Sequence, residues 1–367
     1  MIVLGVIFVL IVIFSILTPT TFKDMSDSLK VFFARSGNCP LTYETGMIIE
    51  EKQMKNAEMI ISRGSLVCIS DNGGLLLRDT YNMSDPYLIT GDTRAAVFDR
   101  GNKEARIYNR TSVMQKLTFD YPIIDADMSA NGTFAVITES DEYTAQMECY
   151  SKASYAKTMT WYCAYNFPYA VFLNDAGSRA AVCAAGMDSD GMFTSVYCID
   201  TGKASELFNV RVEGLVISLK YYSNYGIILF TEDAAYRVTS KGEIQKTVEL
   251  DGIPLVGLAD RDSSLFAVGF GSNNIPDINS VKIFDQNLEV LGEINDVGYI
   301  SDMYLRRNRL YILGDGVVSL YEISGTPGNR YSVPSNARFL EVFQNNIWII
   351  QSGRIDAVDT NEDRITE

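Results

Sequence analysis

The sequence predicts an all-β protein folded as a β-propeller, and three observations lead to that prediction. The chain of 367 residues contains eight similar apolar segments of the kind that form central strands. The central residues of these segments follow one another at intervals of 37 to 47 residues, close to the spacing of propeller blades. Each segment precedes a second strand-like run that alternates apolar and polar residues before a turn. The central residues are Ile60, Val97, Val136, Val182, Leu229, Val268, Ile312 and Ile349.

The clearest repeat unit is Ile123–Cys163, which reads as four short strands in succession. Asn131 and Gly132 separate its first two strands, and an Asn-Gly pair favours a tight turn between antiparallel strands. Seven units carry a fourth strand-like run, whereas the eighth reaches only its third. We therefore expect eight four-stranded blades. Seven blades with a terminal appendage, or a pair of β-sandwiches, are the alternatives.

The segment expected to complete the last blade lies near the N-terminus. Residues 28–36 begin with SLKVFFAR, a run with strand character that can cover the open edge of the last sheet. The predicted organisation is therefore an anchor over 1–18, a tether over 19–27 and a propeller domain over 28–367, closed by the strand 28–36.

Residues Ile2–Leu17 are apolar apart from Gly5 and Ser15, and they predict a single transmembrane helix over 1–18. A secretory signal peptide has a basic start and a small-residue cleavage site. The segment shows neither feature, which favours an uncleaved anchor in the lipid bilayer.

The orientation of the anchor is predicted from its flank and from the size of the body. Lys23, Lys30 and Arg35 follow the apolar segment, and these charges alone favour a cytoplasmic body. A large domain, however, is translocated with little regard to a few nearby charges. We expect a single-pass protein of the cell membrane with an extracytoplasmic propeller.

The formal net charge of −15 and the absence of histidine narrow the classes of function. An acidic surface repels phosphate backbones, so we expect no nucleic-acid partner. A chain without histidine lacks the commonest general base and metal ligand, which favours a binding protein over an enzyme. We expect no cofactor and no metal site, and we assign no catalytic residue.

Six cysteines are scattered along the chain, and none forms a C-x-x-C pair. Cys183 and Cys198 lie on the two arms of a predicted hairpin around Asp188–Gly191. Opposed positions of a hairpin come close to disulfide geometry, so this pair is a candidate bridge. Buried unpaired thiols are the alternative.

Two further sets of residues are candidates for a site. Asp125 and Asp127 alternate along the first strand of the third unit and are predicted to line the channel of the propeller. Paired carboxylates there would coordinate a cation or act as acid and base, and simple solvation is the favoured alternative. The second set is aromatic and would line a groove for sugar or peptide, with packing between blades as the favoured alternative. It comprises Tyr150, Tyr155, Trp161, Tyr162, Tyr165, Phe167 and Tyr169.

Three stretches resemble a family of bacterial, mainly Firmicute, membrane-anchored proteins known as domain-of-unknown-function family 5711. They are Ser84–Asn109, Ile123–Ser140 and the later segments Ile300–Leu313 and Val318–Gly325. The resemblance covers most of residues 28–330 and implies a propeller-like fold behind a membrane anchor. It implies no activity and no catalytic residues.

These observations predict a binding or scaffold module without catalytic activity. One face of the propeller would bind a protein, a peptide or a cell-envelope ligand at the bacterial surface. One alternative is an enzyme or cofactor-binding propeller similar to quinone-dependent dehydrogenases. Another is an extracytoplasmic sensor. The expected partners are the lipid bilayer, through the N-terminal helix, and a protein or envelope polymer.

Overall fold

Within the residues that the structure describes, 32 strands form eight sheets of four strands each. The structure is a computed structural model, and it describes residues 19–37, 39–43, 46–222, 226–250, 255–259, 265–272, 275–306, 308–343 and 346–358. In seven of the sheets the strands lie in chain order, as a propeller blade requires. The predicted eight-bladed β-propeller with four-stranded blades is therefore confirmed, and the seven-bladed alternative is wrong.

The first four blades contain strands β2 to β17. Blade 1 has β2 (Ile48–Met54), β3 (Ala57–Ser62), β4 (Ser65–Ser70) and β5 (Leu75–Thr80). Blade 2 has β6 (Pro86–Thr90), β7 (Arg94–Asp99), β8 (Glu104–Asn109) and β9 (Val113–Thr118). Blade 3 has β10 (Ile123–Met128), β11 (Phe134–Thr138), β12 (Ala145–Tyr150) and β13 (Lys157–Cys163). Blade 4 has β14 (Phe167–Leu173), β15 (Arg179–Asp188), β16 (Gly191–Asp200) and β17 (Ser205–Glu213).

The last four blades contain strands β18 to β32 and the N-terminal strand β1. Blade 5 has β18 (Val216–Tyr221), β19 (Ile227–Thr231), β20 (Ala234–Val238) and β21 (Ile244–Glu249). Blade 6 has β22 (Leu255–Ala259), β23 (Leu265–Ser272), β24 (Ile275–Asp285) and β25 (Val290–Ile294). Blade 7 has β26 (Asp302–Arg306), β27 (Arg309–Gly314), β28 (Val317–Glu322) and β29 (Pro327–Ser332). Blade 8 has β30 (Phe339–Phe343), β31 (Asn346–Gln351), β32 (Arg354–Val358) and β1 (Leu41–Thr42).

The chain packs as two compact units. Of the described residues, the first unit contains 19–37, 46–182 and 199–206, and the second contains 39–43, 183–198 and those from 207 to 358. The first unit thus holds blades 1 to 3 and the first strand of blade 4, and the second holds blades 5 to 8.

The second strand of a blade is apolar on both faces because it packs against a neighbouring blade on each side. In β7, Ala95 and Val97 pack into a cluster with blade 1, whereas Ala96 and Phe98 pack into a cluster with blade 3. Alternate side chains of a strand point to opposite faces, so a continuous apolar run serves both neighbours. All eight repeat centres from the sequence lie in second strands and are buried.

The strand predicted over 28–36 is wrong, although an N-terminal segment does complete the last blade. Residues Pro19–Phe32 form the helix α1, which replaces both the predicted tether and most of the predicted strand. The strand β1 instead pairs antiparallel with β32, with Leu41 opposite Ile355. The Tyr43 hydroxyl reinforces this edge by donating a 2.7 Å hydrogen bond to the Gln351 carbonyl.

No helix within the described ranges combines the length and the apolar character needed to cross a bilayer. The predicted anchor over 1–18 lies outside those ranges.

Candidate binding surface

The turns of blades 1 to 3 form two edges with different properties. The turns that join the first to the second strand and the third to the fourth strand lie together, and we call this side the helix edge. The turns that join the second to the third strand, and the connections between successive blades, lie on the other side, which we call the loop edge. This division follows from the antiparallel order of the four strands.

The helix α1 binds to the helix edge through its polar face. Asp24 forms an ion pair with Arg94 at the start of β7. One turn further along, Asp27 forms an ion pair with Arg110, which follows β8. The Lys23 ammonium donates hydrogen bonds of 3.2 Å to the backbone carbonyls at the start of β9. Residues three apart share a helix face, so the two aspartates hold the same side of α1 against blade 2.

The Asp27–Arg110 pair is buried. Asp27 Oδ2 accepts hydrogen bonds from Arg110 Nη2 at 2.7 Å and from Nε at 3.0 Å. Only 2% of the Asp27 side chain and 6% of the Arg110 side chain are exposed. Arg110 Nη1 donates a further 2.8 Å hydrogen bond to the Lys55 carbonyl in blade 1. Charge-assisted bonds of this kind fix the geometry of the helix on the body.

The Arg94 guanidinium joins α1 to blade 3 as well. Its Nε donates a 2.7 Å hydrogen bond to the hydroxyl of Tyr155, which follows β12. Tyr155 is buried, and burial raises the pKa of its hydroxyl above the ordinary value even though Arg94 acts in the opposite direction. The hydroxyl therefore stays neutral and accepts a hydrogen bond from the guanidinium.

The loop edge of blades 3 and 4 carries a group of exposed aromatic side chains that we call the aromatic patch: Tyr143, Tyr162, Tyr165 and Phe167. Tyr165 is 78% exposed and Phe167 is 73% exposed. The rings of Tyr143 and Tyr162 contact each other with centroids 4.7 Å apart. A soluble surface seldom exposes large apolar groups together unless they bind something.

Backbone contacts hold the two loops of the patch together. The Thr144 amide donates a 3.0 Å hydrogen bond to the carbonyl of Cys163, at the end of β13. The Cys163 thiol in turn donates to the Tyr165 carbonyl at 2.9 Å. The aromatic rings are therefore presented by loops whose backbone is fixed, which lowers the entropy lost when a partner binds.

The aromatic patch has an acidic rim. Tyr121, in the connection that precedes blade 3, donates a 2.9 Å hydrogen bond to the Asp141 carboxylate. That bond raises the pKa of the Tyr121 hydroxyl, because ionisation would place two negative charges side by side. Asp120, Glu139 and Glu142 are exposed in the same loops. A ligand of this surface is therefore favoured when it carries positive charge.

The structure gives the predicted channel residues Asp125 and Asp127 a role between strands. Asp125 Oδ2 accepts a 2.9 Å hydrogen bond from the Val171 amide, and Asp127 Oδ2 accepts one of 2.7 Å from the Leu173 amide. Arg100 also lies 3.2 Å from Asp125. These carboxylates bind the first strand of blade 4 to the first strand of blade 3.

Asp125 and Asp127 have raised pKa values, and burial is the main cause in both cases. It raises the pKa of Asp125 to about 6 and also raises that of Asp127. The same kind of bridge recurs elsewhere in the chain. Glu50 accepts a 2.8 Å hydrogen bond from the Leu88 amide. The repeated bridge indicates that these acids serve the propeller fold.

The structure shows no disulfide bond between Cys183 and Cys198, so the predicted bridge is not formed. Both are fully buried on neighbouring strands, β15 and β16. The Cys198 sulfur lies 3.9 Å from the Tyr221 hydroxyl. These thiols pack as small apolar side chains, which is the alternative that the sequence left open.

A recess with a volume of about 360 Å³ lies on the helix edge, where the first turns of blades 1 to 4 meet. Its lining includes Lys55, Asp92 and Asp175. The backbone forms much of its wall, since the Lys55 amide donates a 2.8 Å hydrogen bond to the Asp92 carbonyl. The recess is polar, and its lining residues include no aromatic side chain.

The aromatic set predicted from the sequence separates into two groups. Tyr155 is buried, and Tyr150, Trp161 and Tyr169 are half-buried. Tyr155 and Tyr150 pack in the cluster between blades 2 and 3, as packing between blades requires. Tyr162, Tyr165 and Phe167 are exposed and form most of the aromatic patch. Sequence reasoning missed Tyr143, which lies in the turn between β11 and β12. Tyr143 follows the acidic pair 141–142 in a predicted turn between two strands, and this position could have indicated that its ring is exposed.

Comparison with known proteins places the chain in a family. The model of the family of unknown function DUF5711 matches residues 43–359. The chain belongs to this family. Comparison with curated proteins found no match.

Solved structures with a similar fold support the propeller architecture. BamB from Moraxella catarrhalis is 16% identical, with a TM-score of 0.56 over 87% of this chain and 99% of that chain. Sqt1 from Saccharomyces cerevisiae is 9% identical, with a TM-score of 0.64 over 89% of this chain and 100% of that chain. The C-terminal WD40 domain of Sif2 is 12% identical, with a TM-score of 0.60 over 88% of this chain and 100% of that domain. At these identities the likeness concerns the fold alone.

Proposed function

We propose that this DUF5711 protein is a membrane-anchored, extracytoplasmic scaffold that binds a protein or peptide partner through the aromatic patch. The observation that carries the proposal is the exposure of four aromatic side chains on one edge of a propeller. Tyrosine and phenylalanine are enriched in protein interfaces, where they bury a large area at a small cost in side-chain entropy.

The chemistry of the rim narrows the class of partner. Four acidic side chains are exposed in the loops that carry Tyr121 and Tyr143, and the whole chain is acidic. A segment that carries lysine or arginine beside apolar side chains complements both features. An anionic envelope polymer would be repelled, so a basic protein segment is the ligand that this surface favours.

The membrane anchor and the external location rest on the sequence. Ile2–Leu17 has the length and composition of a single transmembrane helix. The large body that follows is of a kind that is exported with little dependence on flanking charge. Protease added to intact cells should therefore degrade the propeller, and survival of the propeller would refute the external location.

The hydrogen bonds of Asp125 and Asp127 count against carboxylate chemistry at these residues. Each carboxylate accepts a backbone amide of β14, so its oxygens are engaged in the fold. A binding role for the propeller does not require a reactive carboxylate, and the aromatic patch at the loop edge does not include Asp125 or Asp127.

Site-specific crosslinking in intact cells tests the proposed partner. A photoreactive amino acid at Tyr165 should give a discrete crosslinked product, whereas the same group at Leu75, an exposed apolar residue of blade 1, should not. The substitution Phe167→Ser should remove the product at Tyr165 without lowering the level of the protein. Equal products at both positions, or a product that Phe167→Ser leaves unchanged, would contradict the proposal.

A further inference from the structure

The helix α1 exposes an apolar face to solvent. Phe22, Met25, Leu29 and Phe32 recur at the spacing of one helix face, and all four are exposed. Phe33, directly after the helix, is also exposed and packs edge-on against Phe32 with ring centroids 5.0 Å apart. A surface helix of a globular protein normally buries its apolar side, and α1 does the reverse.

The arrangement of charge on α1 is equally one-sided. The two carboxylates, Asp24 and Asp27, are neutralised by arginines of the propeller. Lys30 and Arg35 are exposed. With the acidic side chains turned inward and paired, the outer side of this segment combines apolar groups with unneutralised positive charge.

A bilayer with anionic headgroups matches both properties. An amphipathic helix with an apolar face and flanking cations lies in the plane of the membrane interface. The position in the chain points to the same occupant, because the apolar segment Ile2–Leu17 ends two residues before α1 begins at Pro19. If that segment spans the bilayer, the first turn of α1 cannot lie far from the headgroups.

We propose that the apolar face of α1 lies in the membrane interface and holds the helix edge of blades 1 to 3 against the bilayer. The inference rests on the anchor in the proposed function. It adds an orientation: the loop edge, which carries the aromatic patch, then points away from the membrane and is open to a partner. The ion pair Asp27–Arg110 transmits this orientation from the helix to the propeller.

Depth-dependent fluorescence quenching of the full chain in vesicles tests the inference. Phe32→Trp places a probe on the apolar face, and Tyr165→Trp is the matched control at the loop edge, since the two side chains are 80% and 78% exposed. The parent chain, with its native Trp161 and Trp348, gives the background emission. The vesicles contain phosphatidylcholine and phosphatidylglycerol, with or without brominated acyl chains.

We expect brominated lipid to reduce the added emission of Phe32→Trp and to leave that of Tyr165→Trp unchanged. Bromines high on the acyl chains should quench most, because the apolar face of an interfacial helix lies about 5–10 Å deep. Replacing phosphatidylglycerol by phosphatidylcholine, or adding Lys30→Glu, should reduce the quenching.

The outcomes separate this inference from the anchor on which it rests. Retention of the chain in alkali-washed vesicles without quenching at position 32 overturns the inference and leaves the anchor intact. Loss of the chain from the vesicles overturns both. Protection of position 32 from aqueous iodide without quenching by brominated lipid would show that a second copy or another protein covers the helix, and would overturn the inference. Quenching at position 165 by brominated lipid would show that the loop edge faces the bilayer, which contradicts the proposed orientation.

Discussion

The substitution Asp27→Ala should release α1 from the propeller. It removes a carboxylate that accepts two hydrogen bonds from Arg110, at 2.7 and 3.0 Å, in a place where both side chains are almost fully buried. The guanidinium then keeps only its 2.8 Å bond to the Lys55 carbonyl. An unpaired buried charge is unfavourable, so the folded state must either tolerate it or let the helix detach.

The expected size of the effect follows from the burial of the pair. Removing one partner of a buried ion pair costs about 3–5 kcal/mol. If binding of the helix contributes less than this, α1 detaches and Arg110 regains water, so the loss equals the binding free energy of the helix. A loss of about 3 kcal/mol raises the open population of α1 by about 100-fold.

Hydrogen exchange resolved by residue measures this change directly. The amides of α1 should exchange about 100-fold faster in Asp27→Ala, while those of β7 and β11 keep their protection. Urea unfolding of the same variant gives the change in global stability. Lys30→Ala, on the exposed side of α1, is the control and should change stability by less than about 0.5 kcal/mol.

A double variant tests whether the charge is the cause. Asp27→Leu combined with Arg110→Met replaces the pair by apolar side chains and should restore much of the protection, because such replacements are often neutral. Unchanged exchange in Asp27→Ala would refute the reasoning. Equal losses in the single and double variants would show that packing of the helix, and not the unpaired guanidinium, dominates.

Three further predictions concern the body of the propeller. Burial raises the pKa of Asp125 from 3.8 to about 6, so the folded state binds this proton more tightly than the unfolded chain. Its contribution of about 3 kcal/mol is present below pH about 4 and is lost as the pH rises through about 6. Relative to Asp125→Asn, the thermal midpoint of the parent should therefore fall between pH 4 and 7, and parallel curves would contradict this. Gly91→Ala should lower the unfolding free energy by about 1–3 kcal/mol, because a Cβ there collides with a carbonyl of the β10–β11 turn; Gly46→Ala, where a Cβ only makes ordinary contact with Ser62 at 3.9 Å, should be neutral in the same urea titration. Tyr165→Ser should change stability by less than about 0.5 kcal/mol, whereas Phe134→Ala, fully buried, should cost about 3–5 kcal/mol; a large loss at Tyr165 would show that the exposed ring serves the fold.

The blades could be predicted from the sequence because the signals that define them are local. Alternating side chains and turn residues act over fewer than ten residues, and the repeat of the second strand sets the register. The repeat therefore places Val97 and Val136 correctly in second strands. The need for a strand to complete the last blade was likewise visible in the missing fourth strand of the eighth unit.

The aromatic patch could be predicted only in part. The high density of aromatic residues in this part of the sequence indicated Tyr165 and Phe167 as candidates. It indicated Tyr155 equally, although that residue is buried beside Arg94. Exposure depends on which edge of the blade a turn occupies and on what covers that edge. Among the described residues, α1 covers the helix edge and no helix covers the loop edge, and no single stretch of sequence records this difference.

The sequence alone determined the eight blades of four strands, since seven of them each consist of forty or so consecutive residues and the eighth visibly lacks one strand. The tertiary structure decided the conformation of residues 19–36. The run from Leu29 to Phe32 reads as a strand by composition, yet it forms the end of α1, whose apolar residues also recur at helical spacing. The choice depends on Arg94 and Arg110, which lie 70 and 83 residues further along the chain than the aspartates they bind. A helix that begins at Pro19 places both aspartates on the side that faces these arginines, and its continuation to Phe32 excludes a strand over 28–36.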